Sequence, residues 1–234
     1  SALYLKARRP KFGAGKKTNL LMRYKTGTIQ LINPSFRWEQ KLNDQINTSV
    51  SAEYMKSNGE YKFRYRRLAQ NGEVAYDTTA TRWNSDIEAY RIEAGVYGNI
   101  SDGYWQAKLY YYNSDRGLPG AIIKNEWRNG ERQGDKNFFV QATFVKDVTP
   151  KYKLQLNGKF AYDYTHYVSR DTFLILDDTV TKAMQFDNTY YQQDWYLSMV
   201  NMYNILHNWD VSLSVDFQYN KLNAVTRGVG VPFS

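Results

Sequence analysis

The sequence predicts an all-β protein, a transmembrane antiparallel up-and-down β-barrel, and three observations carry that expectation. Two long stretches keep a two-residue polarity period, long loops alternate with tight turns, and no stretch offers a spanning helix. In residues 151–164, Tyr152, Leu154, Leu156, Gly158, Phe160, Tyr162 and Tyr164 alternate with Lys153, Gln155, Asn157, Lys159 and Asp163. In residues 208–220, Trp209, Val211, Leu213, Val215, Phe217 and Tyr219 alternate with Asp210, Ser212, Ser214, Asp216, Gln218 and Asn220. Side chains of a strand point to opposite faces in turn, so each stretch has one apolar and one polar surface. Soluble strands average about 5–6 residues, whereas about 9–11 tilted residues cross a bilayer.

Composition narrows the alternatives. Aromatic residues make up 16% of the 234, with 21 Tyr, 11 Phe and 6 Trp. Mean hydropathy is −0.67, too polar for a helical membrane protein. The longest stretch free of Asp, Glu, Lys and Arg that approaches a spanning helix, 195–209, contains Ser198, Asn201, Asn204, His207 and Asn208, and falls short of the roughly 18 apolar residues required. There is no cysteine, which excludes disulfides, thiolate metal sites and thiol nucleophiles and suits an oxidising envelope compartment. Residues 1–17 are basic, and no apolar signal core follows them, so the chain reads as mature protein or a piece of one. The net charge of +8 is spread over strands and loops with acids between, unlike the concentrated basic face of a nucleic-acid reader.

Taken in order, residues 1–17 carry Pro10, Gly13 and Gly15 and no period, and read as irregular. Strands follow at 18–27, at 28–42 with Asn33-Pro34 interrupting, and, after the tight turn Asn43-Asp44, at 46–54. Residues 56–86 read as a long loop with its own hairpin. Further strands are expected at 86–100 and 104–112 around the turn Ser101-Asp102-Gly103, at 137–147 and 151–164 around Val148-Thr149-Pro150, and at 189–205 and 208–220 around His207-Asn208. Long loops are expected at 113–136 and 165–188, and residues 221–234 read as loop. These nine strand candidates place the four short turns on one rim, as in an outer-membrane meander barrel. Trp38, Trp105 and Trp209, with Tyr104 and Tyr152, are expected as an aromatic girdle near that rim.

Residues Tyr110 to Ala121, YYYNSDRGLPGA, followed by Asn137-Phe138-Phe139-Val140-Gln141, resemble TonB-dependent outer-membrane receptors of the Bacteroidetes type. Pro10, Phe12-Gly13 and Gly15 are similar to the end of that family's plug domain, with Lys16-Lys17 where the family often has a small or Gly pair. The resemblance implies a barrel of about 22 strands closed by an N-terminal plug, of which this chain would supply about nine strands: residues 1–17 as plug end and linker, 18–234 as barrel. It implies uptake of a scarce bulky ligand, a corrinoid first (some relatives are vitamin B12 receptors), or a siderophore, haem or glycan, driven through the TonB complex. Outer-membrane lipid and a surface lipoprotein are the implied partners, and the bacterial outer membrane the location. A self-contained porin or structural barrel of about ten strands is the alternative.

For sites, the loop 113–136 is the first candidate for ligand contact, through Trp127, Arg128, Asn129 and Arg132, because long loops on rigid barrels carry function. Its motif Arg116, Gly117, Leu118, Pro119 and Gly120 reads either as ligand contact or as a structural turn packing the loop. Lys153, Lys159, Asp163, Asp210 and Asp216 are expected to face the lumen, bonding a plug or tuning ion selectivity in an open pore. Asp171, Asp177, Asp178 and Asp187 follow no calcium-loop spacing and read as solvated acids. Asp163 and His166 are close enough in sequence to suggest a catalytic dyad, but no second acid pair supports it. The chain is read as a non-enzyme with no cofactor and no nucleic-acid partner.

Overall fold

A computed structural model describes residues 9–120, 122–123, 126–127, 130–175, 179–206 and 209–228. All of the regular structure described is strand: β1 Thr18–Gly27, β2 Leu31–Lys41, β3 Ile46–Ser57, β4 Tyr61–Leu68, β5 Val74–Arg82, β6 Ile87–Ile100, β7 Gly103–Leu118, β8 Ile122–Ile123, β9 Glu126–Trp127, β10 Glu131–Thr149, β11 Tyr152–Ile175, β12 Thr179–Leu206 and β13 Trp209–Gly228. Nine of these form one antiparallel sheet in the order β1-β2-β3-β6-β7-β10-β11-β12-β13, while β4-β5 and β8-β9 are separate hairpins. The all-β, up-and-down class is therefore the observed one. Among the described residues the sheet is open, because β1 and β13 each pair on one edge only and not with each other.

The polarity period survives from strand to strand because the register keeps like faces together. Leu20 pairs with Trp38, Trp38 with Val50, Val50 with Ala94, Ala94 with Leu109, Leu109 with Val140, Val140 with Phe160, Phe160 with Trp195 and Trp195 with Tyr219. A one-residue slip in any pair would turn that strand's apolar set to the wrong side. The apolar face carries most of the large exposed side chains, from Met22 at 71% to Phe217 at 56%. The buried side chains Tyr97, Val145, Ala161, Asn33, Glu39 and Ser198 instead sit on the polar face. This is the reverse of a water-soluble domain, and among the described residues no second sheet stacks on the apolar face.

The strands are longer than the sequence period suggested. The expected loop 113–136 shrinks, since β7 runs to Leu118 and β10 starts at Glu131. The expected loop 165–188 is instead an extended ladder of β11 and β12, 24 and 28 residues long. Residues 221–228, expected as loop, continue β13. The cause is common to all three: outside the apolar zone the apolar residues, such as Leu222 and Val225 on opposite faces of β13, no longer alternate, so the ladder continues without a hydrophobic period to mark it. The hairpin expected within 56–86 is β4-β5. The turn His207-Asn208 lies outside the described residues; the other three short turns do share one rim, and the longer excursions the other.

Candidate functional site

Aromatic residues bound the apolar face at both rims. Toward the short turns stand Trp38, Trp105, Tyr152, Tyr203 and Trp209; toward the far rim stand Tyr24, Tyr54, Tyr90, Tyr111, Tyr162 and Tyr191. The girdle expected near the short turns is corrected at one position. Tyr104 pairs with Asn99 and Val145 and therefore points to the polar face. Trp209 and Tyr219 are ten residues apart on β13, about 33 Å of strand. Tilted by about 40–45°, that length spans the roughly 25 Å apolar band of an outer-membrane barrel.

The polar face is a curved wall with two electrical halves. On β1 to β7 it carries Arg23, Lys25, Arg37, Arg91, Lys108 and Arg116 against Glu39, Glu53 and Glu93. On β10 to β13 it carries Asp135, Asp147, Asp163, Asp194, Asp210 and Asp216 against Lys153 and Lys159. The five residues expected to face inward, Lys153, Lys159, Asp163, Asp210 and Asp216, all lie on this face. A trough of about 430 Å³ runs along it past Arg37, Glu93, Tyr97, Lys108, Tyr110 and Phe139. Arg91 pairs with Glu53, and the Asn33 amide donates to Glu53 Oε1 at 3.0 Å. Asn137 donates to Asp163 Oδ1 at 2.6 Å.

The segment ahead of β1 enters this wall. Arg9 Nη2 donates to the carbonyls of Gly98 at 3.3 Å and Trp105 at 3.0 Å, and Nη1 donates to Asn99 Oδ1 at 3.1 Å. Its guanidinium also lies 4.5 Å from the Tyr104 ring centroid, a cation–π distance. The chain thus crosses from β1 to the ends of β6 and β7 on the polar side. Sequence reasoning placed residues 1–17 as linker but had no signal for this docking, because Arg9 is one of several basic residues in an aperiodic stretch.

Where β7 meets β10, the motif residues act on structure. Arg116 forms an ion pair with Asp135 at 3.0 Å on the polar face, and Asp135 accepts from Thr165 Oγ1 at 3.0 Å. Gly117 N donates to Asp86 O at 2.9 Å, and an added Cβ there would overlap the Asn84 carbonyl. Asn84, at φ 58°, tolerates the left-handed region as Asn does, and its amide donates to Leu118 O at 3.0 Å and Glu131 O at 2.7 Å. Arg82 donates to Pro119 O at 2.8 Å. Arg132 forms a fork with Asp86, Nη1 at 3.1 Å and Nη2 at 2.8 Å, and pairs with Asp115. Its hydrogen bond to Asp86, outweighing partial burial, holds that carboxyl below the usual carboxylate range.

Of the four residues expected to contact ligand, Arg132 is thus engaged by two carboxylates. Trp127 ends the short hairpin β8-β9, and Arg128 and Asn129 lie outside the described residues, as do Asp177 and Asp178. Gly120 follows β7 on the same rim. The dyad that the closeness of Asp163 and His166 in sequence suggests, and that no second acid pair supports, does not form: residues three apart in a strand point to opposite faces, and His166 Nε2 meets Asp187 Oδ1 at 2.7 Å. No protein-family model matches the chain, and no curated protein is similar to it.

Proposed function

We propose that the chain is part of the barrel of an energy-coupled outer-membrane receptor that imports a bulky ligand. The observation that carries the reading is the nine-strand apolar face bounded by aromatic residues at both rims, which fits contact with a lipid bilayer. The docking of Arg9 on the polar side fits a segment entering the barrel interior, where a plug would sit. The open edges at β1 and β13 favour part of a larger barrel over a self-contained porin, since an open sheet edge is not tolerated in lipid. Ligand uptake and energy coupling through TonB rest on the resemblance of residues 110–121 and of Pro10 to Gly15. The corrinoid, siderophore, haem and glycan classes remain the candidate cargo, and a surface lipoprotein the candidate partner at the far rim.

Uptake of labelled vitamin B12, a ferric siderophore, haem and an oligosaccharide, measured in cells expressing the complete parent protein, tests this reading. Accumulation of one of them that stops when the proton gradient is collapsed is the expected result. Passive, gradient-independent entry of small solutes would instead mark a porin.

A further inference from the structure

The β4-β5 hairpin, like the much shorter β8-β9, has strands that contact no other strand among the described residues. An isolated two-stranded hairpin is marginally stable in water. This one nonetheless leaves Tyr61, Leu68, Val74 and Tyr76 exposed at 51%, 56%, 46% and 41%. Its base is held firmly. Ser57 Oγ donates to Ile29 O at 2.8 Å, Ser85 Oγ donates to Gly59 O at 2.6 Å, and Gly59 takes a φ of 62° against the Ser85 carbonyl. The hairpin is thus anchored at its root and uncovered along its length.

Its charge is equally one-sided. Strand β4, YKFRYRRL, has four cations and no acid. Lys62, Arg64 and Arg66 share one face at a spacing of about 7 Å for alternate residues, and Arg67 stands at the bulge beside the tip. The opposing acid, Asp77, is already taken by Arg64, whose Nε and Nη2 donate at 2.8 and 2.6 Å. That pairing, with Arg66 opposite, holds the Asp77 carboxyl below its usual range, and the four cations of β4 against Asp77 and Glu73 leave net positive charge along the strand at Lys62, Arg66 and Arg67. A row of cations beside an exposed apolar tip is the chemistry of a surface element that binds anionic headgroups while burying its tip at the interface.

We propose that the β4-β5 hairpin binds the phosphate-bearing headgroups of an anionic lipid surface, with Lys62, Arg66 and Arg67 on the phosphates and Leu68, Val74 and Tyr76 in the interface. The proposal rests on the reading that the apolar face of the main sheet meets lipid, because that reading sets the root of the hairpin beyond the far aromatic belt, on the headgroup side. It names a lipid as the occupant, since a free phosphate ion would satisfy the cations but leave the apolar tip uncovered.

Residues 1–234 contain no cysteine, so an introduced thiol meets no competing label site among them. Gln70→Cys, at the hairpin tip, carries an environment-sensitive fluorophore in the complete parent protein reconstituted into bilayers of phosphatidylcholine alone or doped with phosphatidylglycerol. A headgroup-level quencher is expected to act several-fold more strongly in the doped bilayer, and the triple variant Lys62→Gln, Arg66→Gln, Arg67→Gln is expected to lose that gain. Equal quenching in the two bilayers, or a gain that survives the triple substitution, overturns the proposal. Millimolar inorganic phosphate added to phosphatidylcholine bilayers is expected to change nothing; a shift matching the doped bilayer would reassign the site to a free anion and overturn the lipid source. A second label at Leu213→Cys separates the underlying reading, since it is quenched at acyl depth in both bilayers if the apolar face meets lipid. Failure there sinks the membrane reading itself, whatever the hairpin does.

Discussion

The two halves of the polar wall share one backbone pattern and differ in charge. Arg23, Lys25, Arg37, Arg91 and Lys108 outnumber the acids on β1 to β7, and Asp135, Asp147, Asp163, Asp194, Asp210 and Asp216 outnumber the lysines on β10 to β13. The backbone ladder is indifferent to this, because cross-strand hydrogen bonds need only the right alternation. The difference therefore constrains what fills the interior: an occupant set against both halves would present acids to the first and bases to the second. The boundary between the halves is the pairing of β7 with β10, and it is unusually well locked. Tyr110 stacks on Phe139 across it at 4.8 Å and 14°, Arg116 reaches Asp135, and Arg132 reaches Asp115 on the other face.

Breaking that boundary is the harshest test of the comparison. Gly103 sits at its short-turn end, where an added Cβ would overlap the Val145 carbonyl. Because backbone rather than a flexible side-chain tip is in the way, Gly103→Ala should force β7 from β10 and cost about 2–3 kcal/mol, read as a lowered urea midpoint of the complete parent protein. A parental midpoint would mean the halves are not held there. Phe139→Ala should cost less, about 1–2 kcal/mol, by removing the Tyr110 stack and the ring under Lys159. A double-mutant cycle with Tyr110→Ala should show coupling of about 0.5–1.5 kcal/mol; strict additivity would show that the stack contributes nothing.

The outer lock should be weaker and sensitive to acid. Arg132 and Asp86 are both about two-fifths exposed, so solvent screening limits Arg132→Met to less than about 1 kcal/mol at neutral pH. The Asp86 carboxyl is depressed in the folded chain, so its contribution is fully present above the unfolded value near 3.9 and is lost as pH falls through the lower folded value. Hydrogen exchange at the Gly117 amide, which donates to Asp86 O, should accelerate in Arg132→Met above about pH 4 and converge with the parent in stronger acid. The smallest effect should come from single inward charges. Asp216→Asn removes a charge but keeps an oxygen that can accept from the Tyr196 hydroxyl, 2.9 Å away, on an exposed strand, and should shift stability by no more than about 0.5 kcal/mol; a larger loss would show that charge asymmetry supports the fold itself.

The sequence made the fold class readable where one face is greasy and the other wet, as in Leu213, Val215 and Phe217 against Ser212, Ser214 and Asp216. It failed where no such alternation marks the chain. Gln133-Gly134-Asp135-Lys136, read as loop, shows no period, yet it lies inside a 19-residue strand. Pairwise partners were less legible still, because they depend on register. Asp187 lies beside His166 through the offset of β11 and β12, and Asp163 is turned away from it despite being nearer in sequence. Arg132 was readable as a functional-looking loop cation, but its carboxylate partners come from β7 and from the residue preceding β6, across separations of 17 and 46 residues.

Strand β13 gives the last point. Along its 20 residues one edge is paired to β12 and, among the described residues, the other is bare, with side chains from Trp209 to Tyr219 half open to their surroundings. In water such a rim is a ready docking line for any extended segment, including the same rim on a sister molecule. Left uncovered, the rim makes self-association compete with folding, so the yield on refolding should fall steeply as the concentration of this polypeptide rises.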